Sequence, residues 1–219
     1  TDNGMLWLTA PGEASNTISI VDIAQRKRTG VIDLQTYRRP HGIDRDPRTG
    51  RRVVTVENPD GLLLVDPATR KIVRYYALKG GTPHMVKLSA DGEWAYCSNT
   101  KTGVLAAIRL ATGEVKPIAV GARPQGTVLS KAGTMLYVPS SDGNAISILG
   151  TRKQPGGGEV PTGKGPTRPR PPRDDDLAGI RGVIDDRVER HRAIADGAHA
   201  IADVAQPVEE IHLARVPAW

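Results

Sequence analysis

Residues 39–66 read RPHGIDRDPRTGRRVVTVENPDGLLLVD, and this stretch decides the fold. A proline heads an apolar run, a charged turn follows, then a Val-rich run, a polar turn, and a third apolar run that closes on Asp. The same order returns downstream. The prolines that open it are Pro40, Pro83, Pro124 and Pro166, so the steps are 43, 41 and 42 residues. A period this regular constrains the architecture more than any single motif, because each unit must bury its apolar face against the next.

Within the period the signal is strand-like. The first full repeat places strands at 41–46, 52–57, 62–66 and 72–78. Between them lie Pro47-Arg48-Thr49-Gly50, Asn58-Pro59-Asp60-Gly61 and Pro67-Ala68-Thr69-Arg70, residues that supply positive φ or a pre-set φ for turns. The second repeat places strands at 84–89, 94–98, 103–110 and 114–120, and the third at 125–130, 135–139 and 145–149, with a fourth near 159–161. Upstream, MLWLT at 5–9, TISIVD at 17–22 and the run at 30–34 make three quarters of a repeat that lacks its Pro-headed strand. Asn16-Thr17-Ile18-Ser19-Ile20 and Asn144-Ala145-Ile146-Ser147-Ile148 are the same strand 128 residues, or three periods, apart. Connections this short force neighbouring strands to pair antiparallel. Four short strands per period, with no helical stripe between them, predict an all-β fold: β-propeller blades of four antiparallel strands, about three and three-quarters of them.

The pattern stops after Gly165-Pro166-Thr167-Arg168. From Pro169 to Trp219 there is no Tyr, Asn, Ser or Lys. The chain is therefore divided into a partial propeller at 1–168 and an unassigned tail at 169–219. Two readings of the tail stay open. Residues 183–204 carry Ala and an apolar side suited to a helix that would cap the last blade. The Arg/Ala/Pro/Asp/Gly bias is equally what out-of-frame translation of a GC-rich gene gives.

The formal charge of +6, from 30 Lys and Arg against 24 Asp and Glu, is scattered and forms no basic stripe, so nucleic acid is not an expected partner. No run of 18 apolar residues exists, and no membrane span is expected. A single cysteine, Cys97, excludes an intramolecular disulfide and reads as a small buried hydrophobe. There is no GxSxG, no HExxH and no phosphate loop. Asp22 and Asp66, which end third strands, and Asn58 and Asn99, which end second strands, read as turn-formers. Trp7, Trp94, Tyr96 and Tyr137 read as packing between blades.

The segments RPHGI, TPHMVKLSADGEWAYCSN and RPQGTVLSKAGTMLYVPSSDGNAISIL resemble the YVTN-type repeats of seven-bladed propellers, related to YncE-like and propeller lactonase-like proteins. The resemblance covers the chain to about Arg168 and implies a periplasmic or secreted protein. In that architecture the Pro-headed register enters the innermost strand near one mouth of the central channel. Arg39-Pro40-His41, Thr82-Pro83-His84 and Arg123-Pro124-Gln125 would then converge there, making His41, His84, Arg39, Arg123 and Gln125 the candidate ligand-binding residues. Each His can instead pack at its strand start and bond a neighbouring carbonyl.

The function expected is a non-catalytic binding or interaction module that takes a protein or a small anionic ligand at this mouth. The alternative is a lactonase-like or metal-dependent enzyme using the same mouth. No cofactor is expected; a divalent metal on His41 and His84 belongs to the alternative, and it needs more ligands than two imidazoles. An incomplete ring also exposes apolar blade faces, through which copies could associate.

Overall fold

The computed structural model describes residues 4–151 and 157–161, and every regular element among them is a β-strand. A three-stranded sheet comes first, with β1 (Met5–Thr9), β2 (Thr17–Asp22) and β3 (Lys27–Asp33) in that order. The second sheet is β4 (Arg38–Arg45), β5 (Arg52–Asn58), β6 (Asp60–Asp66) and β7 (Lys71–Ala77). The third is β8 (Pro83–Leu88), β9 (Trp94–Asn99), β10 (Val104–Arg109) and β11 (Val115–Ala119). The fourth is β12 (Val128–Leu129), β13 (Met135–Ser140), β14 (Ala145–Gly150) and β15 (Gly157–Pro161). Each sheet runs in chain order, which is the meander of a propeller blade, and the three-quarter blade stands where the sequence lacks its Pro-headed strand. Among the described residues no helix is long and apolar enough to cross a membrane. The tail at 169–219, with its candidate helix, lies outside the described residues.

The described residues form two compact units. One holds the chain up to Lys101 together with Ala106–Lys116; the other holds Thr102–Leu105 and the described residues from Pro117 onward. In the first unit, β5 shows why the middle strands read as unbroken apolar runs. Val54 and Val56 join Ile18, Ile20 and Ile32 of the sheet before, whereas Val53 joins Val86, Leu88 and Cys97 of the sheet after. The period of two thus serves two cores, and both faces of the strand are buried. Each fully buried Val, Leu or Ile contributes about 1.5–3 kcal/mol. In the second unit, Leu136, Tyr137, Val138, Ile146 and Ile148 are buried. Ser140 and Ser147 are buried with them and both donate to the carbonyl of Val120.

The turn chemistry follows the sequence with two corrections. Asp22 accepts the amide of Gln25 at 2.9 Å, and Asp66 accepts those of Ala68 and Thr69 at 2.9 and 3.1 Å. Asn99, however, is a buried residue with its side-chain carbonyl enclosed, not a turn-former. The strand expected at 125–130 is reduced to Val128–Leu129 plus one bridge between Pro124 and Ser140. Pro139 lies in the strand opposite and has no N–H to give the ladder.

Candidate functional site

The Pro-headed strand starts build the site. The ladder pairs Pro40 with Val56 and Pro83 with Asn99, and just beyond each proline the register shifts, between Pro40 and Ile43 in β4 and between Pro83 and Val86 in β8. The residues in those gaps are His41-Gly42 and His84-Met85. A bulge re-aims the side chain it carries. Two equivalent bulges on adjacent strands bring the imidazoles of His41 and His84 together, centroids 4.0 Å apart and planes inclined by 33°. Both residues are half-buried, with each Nδ1 enclosed.

Gly42 makes this approach possible. A Cβ there would lie 2.6 Å from the carbonyl oxygen of His84 and 2.8 Å from the Cα of Met85, both backbone atoms that cannot step aside. Hydroxyls on the second strands then fix the histidine backbones. Thr9 donates to the carbonyl of His41 at 2.5 Å. Thr55 accepts the amide of Gly42 and donates to the carbonyl of His84, both at 2.7 Å.

The residue before each proline is also shared between repeats. Arg39, Thr82 and Arg123 have φ of 55°, 53° and 54°. Positive φ is costly for a side-chain-bearing residue and most of all for β-branched Thr. Hydrogen bonds hold the conformation. Thr100 donates its amide and hydroxyl to the Thr82 carbonyl, both at 3.3 Å, and Ser141 does the same to Arg123 at 3.1 and 3.2 Å. In the second sheet Glu57 stands at that position, and its carboxylate, only 9% exposed, instead binds Nε of Arg39 at 2.7 Å. Glu13 approaches the same guanidinium at 3.6 Å.

The structure therefore brings His41 and His84 into contact and gives Arg39 an acidic partner that sequence reasoning missed. The partnership is non-local, and only the departure of Glu57 from the hydroxyl residues of the other repeats signalled it. Arg123 and Gln125 belong to the second unit. There the exposed Arg123 lies 3.9 Å from Asp142, and the Gln125 side-chain amide donates to Ser141 at 3.5 Å. Cys97 is fully buried, and burial pushes its thiol well above the ordinary range. Among the described residues no group of three or more His, Cys, Asp or Glu is placed to hold a metal ion.

No family model and no curated protein matches the chain. Solved structures do. A streptogramin B lyase structure superposes with a TM-score of 0.61 at 23% identity, over 74% of this chain and 53% of that one. Virginiamycin B lyase from Staphylococcus aureus gives 0.60 at 20% identity, over 74% and 54%. The chain spans about half the length of these structures. At such identities the likeness establishes the β-propeller fold, which hosts unrelated functions.

Proposed function

We propose that this propeller module is a non-catalytic binding protein whose His41–His84 end takes a small anionic ligand. The observation that carries the reading is the imidazole pair at 4.0 Å, assembled by two equivalent bulges. Two adjacent rings put imidazole N–H groups at one place, the donors a carboxylate or phosphate accepts, and protonation of either would add charge. Arg39, held by Glu57, stiffens the strand two residues before His41. Export from the cytoplasm, which the repeat resemblance implies, is part of the same proposal.

The test is a titration of the full chain with citrate and with inorganic phosphate, following the histidine ring carbon–proton signals by NMR. The signals of His41 and His84 are expected to move together and saturate, and His84→Gln to abolish the response at His41. Gly42→Ala, which forces β4 off β8, is expected to weaken binding with both imidazoles still present. Unmoved signals would remove the reading.

Two imidazoles in contact also suit a metal, so a lactonase-like or metal-dependent enzyme at the same place is the second reading. Metal analysis separates the two. Stoichiometric metal that disappears in a His41→Ala/His84→Ala variant supports the enzyme; metal-free protein with citrate binding supports the module.

A further inference from the structure

The two edges of the first sheet differ. β3 closes one edge with Lys27 and Arg28 and a register shift opposite Ile20 and Val21. β7 and β11 close their own sheets with Lys71 and Arg74 and with Lys116 and Pro117. Charges, bulges and prolines keep an edge from taking another strand. β1 has none of these. Its five residues, MLWLT, are uncharged, and its ladder to β2 runs without a shift. An edge of this kind is a template for one more strand.

The other sheets show what that strand is. β5 and β9 carry the Pro-headed strands β4 and β8 on the edge that β1 leaves without a partner among the described residues. The amide of Ile23 donates to the Gly4 carbonyl at 2.9 Å. Antiparallel alternation then turns the amides of Leu6 and Leu8 toward β2 and those of Met5, Trp7 and Thr9 toward the open edge. Leu6 pairs with Val21 as Arg52 pairs with Val65, which aligns Thr9 with Thr55. Thr55 bridges two first strands, accepting the Gly42 amide of its own sheet and donating to the His84 carbonyl of the next. Thr9 makes the second bond, to His41, and among the described residues its oxygen takes no donor from its own sheet. Half of the stitch is in place. Leu8, 44% exposed, aligns with Val54, which is fully buried and pairs with Ile43. A cavity of about 230 Å³ lies along the same edge, with Met5, Leu6 and Trp7 of β1 and Ile43 of β4 in its lining.

We infer that this edge is a docking site for an extended segment of a partner protein, of pattern Pro-X-Gly-apolar, which adds to β1 as a first strand. Its glycine donates its amide to Thr9 and passes the carbonyl of His41, as Gly42 passes that of His84. A Cβ at Gly42 would lie 2.6 Å from the His84 carbonyl oxygen, so glycine is needed at this crossing. The apolar residue after it pairs with Leu8 and covers it. Ladder bonds supply the affinity, and alternate side chains the selectivity. The chain's own fourth start, Pro166-Thr167-Arg168-Pro169, has Arg and Pro where Gly and the apolar residue belong. In a second copy the starts at Pro40, Pro83 and Pro124 are already bonded within their own sheets. The segment therefore belongs to a different protein, and no ligand at the imidazoles is needed for it to dock.

The test is binding of the peptide RRPHGIDRD, which copies residues 38–46, to the full chain by fluorescence anisotropy, with amide hydrogen exchange read on the complex. Saturable binding is expected, with exchange slowed at Trp7 and Thr9 and little changed at Leu6 and Leu8. Gly42→Val and Ile43→Asp versions of the peptide are expected to bind about tenfold more weakly or worse. Thr9→Val in the chain, at a temperature where melting shows it folded, is expected to weaken the original peptide. The proposal is overturned if the peptide binds no better than a scrambled one, if the valine version binds equally, or if Trp7 and Thr9 exchange as before. It is equally overturned if concentrating the chain alone protects those amides, since the occupant would then be a second copy.

Discussion

Asp46 shows how much one side chain settles at the end of a first strand. It is 7% exposed and organises the β4–β5 turn through the Arg48 amide and the Thr49 hydroxyl, while its own amide and carbonyl bond Arg51 and Gly50. Burial pushes its carboxyl up. The Thr49 and Arg48 hydrogen bonds, with the Arg48 charge, outweigh this and hold it below the ordinary carboxylate value. Asp91, which accepts the Ser89 hydroxyl and the Glu93 amide in the corresponding turn of the third sheet, is lowered in the same way. A carboxyl depressed on folding contributes stability above its unfolded pKa and loses it as pH falls through the folded one. Urea midpoints are therefore expected to stay level from neutral pH down to about 4 and to drop below that. Asp46→Asn is expected to lower the midpoint at pH 7, with a loss of about 1–2 kcal/mol in unfolding free energy, and to flatten the acid limb. An unchanged acid limb in that variant would show that Asp46 does not carry the effect.

Between elements, the decisive contact is a hydroxyl stitch from the second strand of one sheet to the first strand of the next. Thr9 reaches His41 and Thr55 reaches His84 through the same bond to the main-chain carbonyl. Thr55→Val keeps shape and β propensity but leaves the Gly42 amide and the His84 carbonyl without this partner. Denaturant unfolding is expected to show a loss of about 1–3 kcal/mol, and amide exchange at Gly42 to accelerate. A valine variant as stable as wild type would make the stitch incidental. The strands themselves were legible, because the period and the turn residues are local; most bounds fall within a residue or two of those expected. The site was legible only as a set of positions. That Pro-His recurs is visible in the sequence. That the rings touch depends on the bulges and on Gly42 passing the His84 carbonyl, and neither has a local signature. Arg39 was legible as a strand-start position, but its ion pairs with Glu57 and Glu13, 18 and 26 residues away in the chain, were not.

For the molecule as a whole, the sheets differ in how completely their faces are covered. Val54, Cys97 and Val138 occupy one equivalent position on the second strands and are fully buried, whereas Leu8 at that position in the first sheet is 44% exposed, with Leu6 beside it at 36%. In the second sheet the corresponding face, through Val54 and Val56, packs on Ile18 and Ile20 of the sheet before it. The surface around Leu8 thus has the composition of an interface without one among the described residues, and exposed apolar surface of this kind drives association. Copies of the chain are expected to associate as concentration rises, measured by light scattering on a sizing column. Leu8→Glu is expected to shift the equilibrium toward monomer without lowering the melting temperature, because Leu8 contributes little to the core of its own sheet. If Leu8→Glu instead melts early and associates more, the side chain supports the β1–β2 ladder and the association arises elsewhere. A monomer at every concentration would mean that two apolar side chains on one short strand are too small a surface to hold copies together, since stable interfaces bury about 800 Å² per partner.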